Sequence, residues 1–215
     1  MSAAFRAEPG FITLEGGEGA GKSSNIAFIR DWLQTRGARV HVTREPGGTP
    51  LGESVRALLL DARRTDMAPV TELLLMFAAR AQHLEEVIRP ALARGEWVIC
   101  DRFTDSSYAY QGGGRGLDWD FIAELERRVQ CGLVPHLTLW LDTPVELGMA
   151  RTRDRGETAD RFENEQVLFY ERVRAAFARR ASADPKRMWR VDASQPLEDV
   201  RLAIASALEA RWGAM

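Results

Sequence analysis

Residues 16–23 read GGEGAGKS, and no other stretch limits the fold as much. The spacing is G-x-x-x-x-G-K-[ST]. It follows the short apolar run FITLE (11–15) and opens a segment with helical patterning. Glycines at these places let backbone N–H groups turn inward around phosphate oxygens. The helix that comes next adds the positive end of its dipole. Strand, phosphate-holding loop and helix, in that order, imply an α/β chain with a bound nucleoside triphosphate. The residues expected to hold it are Gly16, Gly17, Glu18, Gly19, Ala20, Gly21, Lys22, Ser23 and Ser24. Lys22 is expected to reach the β- and γ-phosphates, and the Ser23 hydroxyl to sit on Mg²⁺. Glu18 is the odd member, an acid where phosphates gather.

Four more short runs read as strands: ARVHVT (38–43), WVICD (97–101), LTLWLD (137–142) and MWRVD (188–192). The first four of the five lack clean alternation, as buried parallel strands do. Helical patterns separate them. Val70, Leu73, Leu74, Phe77, Ala81, Leu84 and Ile88 make one stripe. Tyr170, Val173 and Phe177 make a second, and Val200, Ile204 and Leu208 a third. Regular alternation of strand and helix predicts a five-stranded parallel sheet with helices on both faces, formed by a single domain over residues 1–215. Its polar, glycine-rich clusters come after strands: GGEGAGKSS, REPGGT (44–49) and RFTDSSYAYQGGGRG (102–116). A charged segment, RTRDRGETADR (151–161), comes one helix after the fourth strand. Open parallel sheets bind ligands outside the carboxyl ends of their strands, so these clusters predict one composite site.

Composition narrows the partners. The 215 residues carry 29 basic and 31 acidic side chains, a net charge of −2, which gives no global field for nucleic acid. No apolar run approaches the roughly 20 residues that span a bilayer. The N-terminal MSAAFRAEPG does not read as a secretory signal. Cys100 and Cys131 lack metal-ligand spacing, and a reducing cytoplasm is expected. His41, His83 and His136 form no common constellation and are expected to be structural or exposed, so no acid–base role is assigned to them.

The residues just past the strands point to the destination of the phosphoryl group. Asn25 and Asn164 are the only asparagines and neither precedes a lysine, which excludes a guanine-reading Asn-Lys-x-Asp. The third strand ends Asp101-Arg102. Asp101 suits the metal or its water, and Arg102 suits a second phosphate, because guanidinium grips phosphate through two donors. A second phosphate beside a filled loop belongs to an acceptor, the logic of a nucleoside monophosphate kinase.

The stretches FITLEGGEGAGKSS, TREPGGTPLGE, LLLMFAARAQH, WVICDRFTDSSYAYQGGGRG, LTLWLD, RTRDRGETADRFE and VDASQPLEDV resemble, in order, the bacterial thymidylate kinase family. The resemblance implies the P-loop nucleoside monophosphate kinase fold with a small arginine-rich lid at about 151–163. It implies transfer from ATP to dTMP with Mg²⁺, and a homodimer packed through helices. Kinases of other monophosphates, such as dUMP, and a nucleotide-binding regulator without transfer are the rival readings.

The same resemblance suggests roles. Glu18 is similar to the acid that meets the sugar 3′-hydroxyl. Arg44 and Arg102 resemble the arginines on the acceptor phosphate. Ser107, Tyr110 and Gln111 resemble the wall along thymine and deoxyribose, with Tyr110 large enough to exclude a 2′-hydroxyl. Arg80 resembles the residue that donates to a thymine carbonyl. A ring-stacking phenylalanine usual four residues before that arginine is Met76 here, while Phe77 stands three before. Phe77 is preferred and Met76 is the alternative, since i−3 and i−4 lie on neighbouring sides of a helix. Some members carry an arginine within the loop; here none does. The catalytic cation is therefore assigned to the charged segment, with Arg155 first and Arg153 second, beside Lys22 and Arg102. A solvated charged helix is the competing account of that segment.

Overall fold

The computed structural model describes residues 8–64, 66–153, 161, 162 and 165–213. Strand β1 (Phe11–Glu15) leads through the glycine-rich loop into α1 (Lys22–Gln34). Then come β2 (Val40–Arg44), α2 (Pro50–Leu60) and α3 (Pro69–His83). A π-helical turn (Leu84–Ile88) joins α3 to α4 (Arg89–Ala93), and β3 (Trp97–Asp101) comes after it. Helix α5 (Thr104–Ser107) runs into a second π-helical turn (Tyr108–Gly114), before α6 (Trp119–Gln130) and β4 (Leu137–Asp142). Helix α7 (Val145–Arg153), α8 (Val167–Ala183), β5 (Met188–Asp192) and α9 (Leu197–Trp212) complete the described chain.

The five strands lie in the order β2-β3-β1-β4-β5, all pairings parallel. Side chains of a strand alternate between faces. Ile12 and Leu14 of β1 accordingly pack with Ile29 and Leu33 of α1 and Ile204 and Leu208 of α9. Phe11 points the other way, into Leu84, Ile88, Val98, Cys100 and Phe103. Helices thus cover both faces, as the alternation predicts. The two later helical stripes are buried as expected: Tyr170, Val173, Phe177, Val200, Ile204 and Leu208.

Two expectations need correction. Strand β2 is not a fully buried strand. It lies at a sheet edge, partly open along its length, with Val42 41 % exposed. The long stripe on α3 is not one inward face either. Leu73, Phe77, Leu84 and Ile88 are buried, but Val70 and Leu74 are 43 % and 47 % exposed. The inward side of α3 includes Glu72, Arg80 and His83, which a count of apolar residues passes over.

Local sequence explains the element ends that position the site. Gly21 precedes α1 in the left-handed conformation (φ 82°), which a side chain disfavours. Thr49 caps α2 by accepting from Gly52 N at 2.9 Å, with Pro50 at the first helical position. No helix among the described residues is long and apolar enough to cross a membrane. Cys100 is buried and Cys131 exposed, both free thiols.

Candidate active site

Parallel register brings the polar ends of three strands together. Arg44 of β2 pairs with Asp101 of β3, and Asp101 with Leu14 of β1. A cavity of about 620 Å³ opens at this edge. It is lined by Glu18–Ser24 of the loop and by Arg44, Met76, Arg80, Asp101, Arg102, Ser107, Tyr110 and Gln111.

The loop is held from behind as well as from within. Gly19 has φ 68°, and a Cβ there would overlap the carbonyl oxygen of Gly148 on α7. The Lys22 ammonium donates to the Gly17 carbonyl at 3.1 Å and to the Gly16 carbonyl at 3.4 Å. Burial, and then the neighbouring Arg102, lower its pKa. The charge of an added anion would oppose both influences. Gly16 and Gly17 are not among the lining residues. Their carbonyls instead hold Lys22 and, from Gly16, Arg102.

Arg102 ties the loop to the segment after β3. Its Nη1 donates to Gly16 O at 2.8 Å and to Ser106 Oγ at 3.3 Å, and its Nη2 donates to Glu18 Oε1 at 2.6 Å. The Tyr110 hydroxyl donates to the same Glu18 oxygen at 3.2 Å, and the guanidinium lies 4.9 Å from the Tyr110 ring centre. Arg102 has φ 67°, an uncommon conformation for a side chain other than glycine. Such outliers persist where surroundings over-determine them. Here those surroundings are the Arg102 N–H bond to Leu14 O and the side-chain contacts just given.

Sequence reasoning missed Arg56. It extends from α2 into the cavity, donating to Pro46 O at 3.1 Å. Burial, then Arg44, lower its pKa, and Arg102 acts in the same sense. Three guanidiniums converge with only partial compensation from Glu53 and Asp101, an arrangement suited to an incoming phosphate. Arg44 Nη2 itself donates to both carboxylate oxygens of Glu53, each at 2.9 Å. The available signal was the spacing of Arg56 from the strand end: two helical turns into α2 after PGGTP.

Arg80 is buried. It donates to Glu45 Oε2 at 2.7 Å and to Ser107 Oγ at 3.1 Å. Glu45 also bonds His83 Nδ1 at 2.9 Å, and His83 Nε2 contacts Thr43 Oγ1 at 2.6 Å. His136 Nδ1 accepts from Phe11 N. These two histidines are structural, as expected. Phe77 does not face the cavity: it packs with Leu73, Tyr108 and Ile122, beneath the Arg80 guanidinium at 4.6 Å. Met76 lines the cavity instead. The preference for Phe77 is therefore corrected. Met76 and Arg80, four apart, share one face of α3, while Leu73 and Phe77 share the core face.

The metal expectation meets a suitable pair. Ser23 and Asp101 both line the cavity, and Asp101 Oδ1 is buried without a hydrogen-bond partner among the described residues. No cluster of three or more His, Cys, Asp or Glu disposed to hold a metal occurs among those residues. One carboxylate and one hydroxyl suit a cation that takes its remaining ligands from phosphates and water, as Mg²⁺ does.

The charged segment is described only in part. Arg155 lies outside the described residues. Arg153 is exposed and is not among the lining residues, whereas Arg151 lines the cavity and donates to Ala193 O at 3.0 Å. Arg161 turns inward to Leu59 O and to buried Glu72, and Phe162 lines the cavity 5.7 Å from the Tyr110 ring.

Comparison with known proteins agrees with this geometry. A family model described as thymidylate kinase matches residues 14–204. The chain is 58 % identical over 205 residues to the thymidylate kinase of Alkalilimnicola ehrlichii, covering 94 % of each chain. It is 59 % identical over 198 residues to that of Pseudomonas fluorescens strain SBW25, covering 92 % of this chain and 94 % of the relative. A crystal structure of thymidylate kinase from Ehrlichia chaffeensis superposes with a TM-score of 0.75 at 32 % identity, over 94 % of this chain and 99 % of that one.

Proposed function

The chain belongs to the thymidylate kinase family, and from that premise we propose that it transfers the γ-phosphoryl group of ATP to dTMP, forming dTDP and ADP. One observation carries the reading. The triphosphate loop and the acceptor wall line a single cavity, with Arg102 bridging them through Gly16 and Glu18.

In this reading Lys22 follows the transferring phosphoryl group. Arg44, Arg56 and Arg102 grip the dTMP phosphate, which is already an anion and needs no general base. Their work is positioning and charge neutralisation, the main protein contribution to phosphoryl transfer. Ser23 and Asp101 would hold Mg²⁺, which would supply neutralisation of the phosphate charge. Glu18 faces the sugar 3′-hydroxyl. Tyr110 closes off the 2′-position, and burial keeps its phenol protonated and able to donate. Met76 covers the thymine ring, with Arg80, Ser107 and Gln111 around its polar edge. Arg155, with Arg153 as second choice, supplies the guanidinium that the loop lacks.

We further propose a cytoplasmic homodimer. Leu51 and Leu58 of α2, with Val70 and Leu74 of α3, leave a run of exposed apolar side chains on two helices packed against each other. That supports pairing through helices. We also propose a single domain over 1–215 with an arginine-rich lid at about 151–163.

The test is ADP release with a panel of nucleoside monophosphates under saturating ATP and Mg²⁺. Strong stimulation by dTMP is expected. ADP release that does not depend on dTMP would refute the assignment, and faster turnover of dUMP would move it to another substrate.

A further inference from the structure

Glu72 lies on α3 one turn before Met76, with no solvent exposure, and the proposed reaction gives it no direct task. Its carboxylate receives three neighbours. Gln111 Nε2 donates to Oε1 at 2.7 Å, and Arg115 Nε lies 3.2–3.3 Å from the two oxygens. Arg161 Nη2 donates to Oε2. Two guanidiniums thus surround one buried carboxylate, and the remaining contact is the amide of a cavity-lining residue.

A carboxylate accepts hydrogen bonds and does not donate them. The Gln111 amide must therefore turn its NH₂ toward Glu72. Its carbonyl oxygen is the half left for the cavity. A carbonyl there accepts a hydrogen bond from a ring N–H and meets a ring-nitrogen lone pair with repulsion. We propose that Glu72 is a positioning residue for base selectivity: by fixing the Gln111 amide it makes the acceptor site demand a pyrimidine with an imino N3–H. Thymine and uracil carry that hydrogen. Cytosine presents a lone pair at the same atom. The inference rests on the proposed dTMP reading and deepens it. Arg80 reads a different atom of the ring edge, so Glu72 accounts for only part of the selectivity.

The experiment uses Glu72→Gln. A second amide at 72 offers either hydrogens or oxygen, so Gln111 is released to flip. The readouts are two ratios of kcat/KM, dTMP over dCMP and dTMP over dUMP. The first ratio is expected to fall by at least about 10-fold, because an unpaired or mispaired buried polar group is what makes such sites discriminate. The second is expected to stay within about twofold, since dTMP and dUMP share N3–H and differ only by a methyl group. General damage to the pocket would move both ratios, and that result overturns the proposal. An unchanged dTMP/dCMP ratio overturns it as well. Gln111→Met removes the amide without touching the Glu72 ion pairs. It must also narrow the dTMP/dCMP ratio, and it decides the matter if Glu72→Gln does not fold. Wild-type enzyme inactive on dTMP would refute the proposed function itself, whatever the variants do.

Discussion

Gly148 provides a test in which the sign of the effect decides. It is the fourth residue of α7, and a Cβ built on it would lie 2.5 Å from the Glu18 carbonyl oxygen and 3.9 Å from Thr143 Cγ2. Its φ is not positive, so alanine carries no backbone strain there. In an ordinary helix Gly→Ala stabilises by about 0.5–1 kcal/mol. Against this stands an overlap with a backbone atom. A C···O contact of 2.5 Å must open by about 0.8 Å, given that weak C–H···O contacts sit near 3.3 Å. Neither a loop carbonyl nor a helix backbone moves freely. Overpacking of this kind costs about 1–3 kcal/mol, which exceeds the helix gain. Gly148→Ala is therefore expected to lose up to about 2 kcal/mol, or roughly 2–8 °C in Tm for a chain of this size. The loop from Glu18 to Ser24 would be pushed toward the triphosphate. A misplacement approaching 1 Å costs up to about 10²-fold, expected here in kcat/KM for ATP. Calorimetry and a coupled ADP assay read the two effects. A higher Tm with unchanged ATP kinetics would refute the claim that α7 buttresses the loop.

Three further expectations are simpler. Lys22→Ala should lower kcat by at least about 10²-fold while dTMP affinity, measured by titration calorimetry, changes little; activity within a few-fold of wild type would remove Lys22 from the transfer step. Arg155→Ala should cut kcat by roughly 10³-fold with a small change in KM for dTMP, and Arg153→Ala should be milder; a reversed order would shift the assignment by one pair of residues. Glu15 sets a pH dependence, since burial, and then the charge of Asp105, push its carboxyl from 4.5 to about 8. Between those values the folded protein holds a proton that the unfolded chain has released, so stability falls as pH rises from about 4.5 to 8 and this contribution levels off above. Glu15→Gln keeps a neutral group there, and its Tm should vary less than wild type between about pH 5 and 8; equal slopes would mean the carboxyl is ionised in the folded state.

How far the sequence could be read depended on how local each constraint was. Strands β1, β3, β4 and β5 match the apolar runs, and β2 starts two residues late. The phosphate loop was legible because its geometry is set within eight consecutive residues, by glycines and the helix start. The acceptor side was harder, because it depends on how α2 and α3 are rotated about their axes. That rotation brings Arg56 into the cavity and reverses the order of Met76 and Phe77. Glu72 gave a signal that apolar counting discards: an acid inside TELLLMF, on the side that turns inward. A buried acid needs cationic or hydrogen-bonding partners, and those partners, Gln111, Arg115 and Arg161, lie 39 to 89 residues away. The stretch QGGGRG reads as a ligand-facing cluster, and of it only Gln111 lines the cavity. A Cβ at Gly112 would meet Trp119 Nε1 at 2.7 Å, and one at Gly113 would meet Ala176 Cβ at 2.6 Å. Those glycines let α6 and α8 pack directly on the turn that carries Tyr110 and Gln111.

The acid in the phosphate loop has a physical account that needs both sides of the cavity. Glu18 alone would repel phosphates. Its Oε1, however, takes Arg102 Nη2 at 2.6 Å and the Tyr110 hydroxyl at 3.2 Å. One carboxylate thus fixes the Arg102 guanidinium and the Tyr110 ring relative to the phosphate loop. Arg102 has other donors, and Nη1 spends one on the Gly16 carbonyl. Charge and position are separated in this design: Glu18 orients a guanidinium whose net effect on an anion remains attractive, because Arg44 and Arg56 stand beside it. An arginine at position 18 would add a cation to the loop. It would also leave Arg102 and Tyr110 without their shared acceptor and place a fourth guanidinium near Arg44, Arg56 and Arg102, two of which already lower the pKa of the third, Arg56. The one cation of this loop is Lys22, so a guanidinium for the transferring phosphoryl group has to come from outside the loop, which is the physical reason for proposing the arginines after β4 for that role.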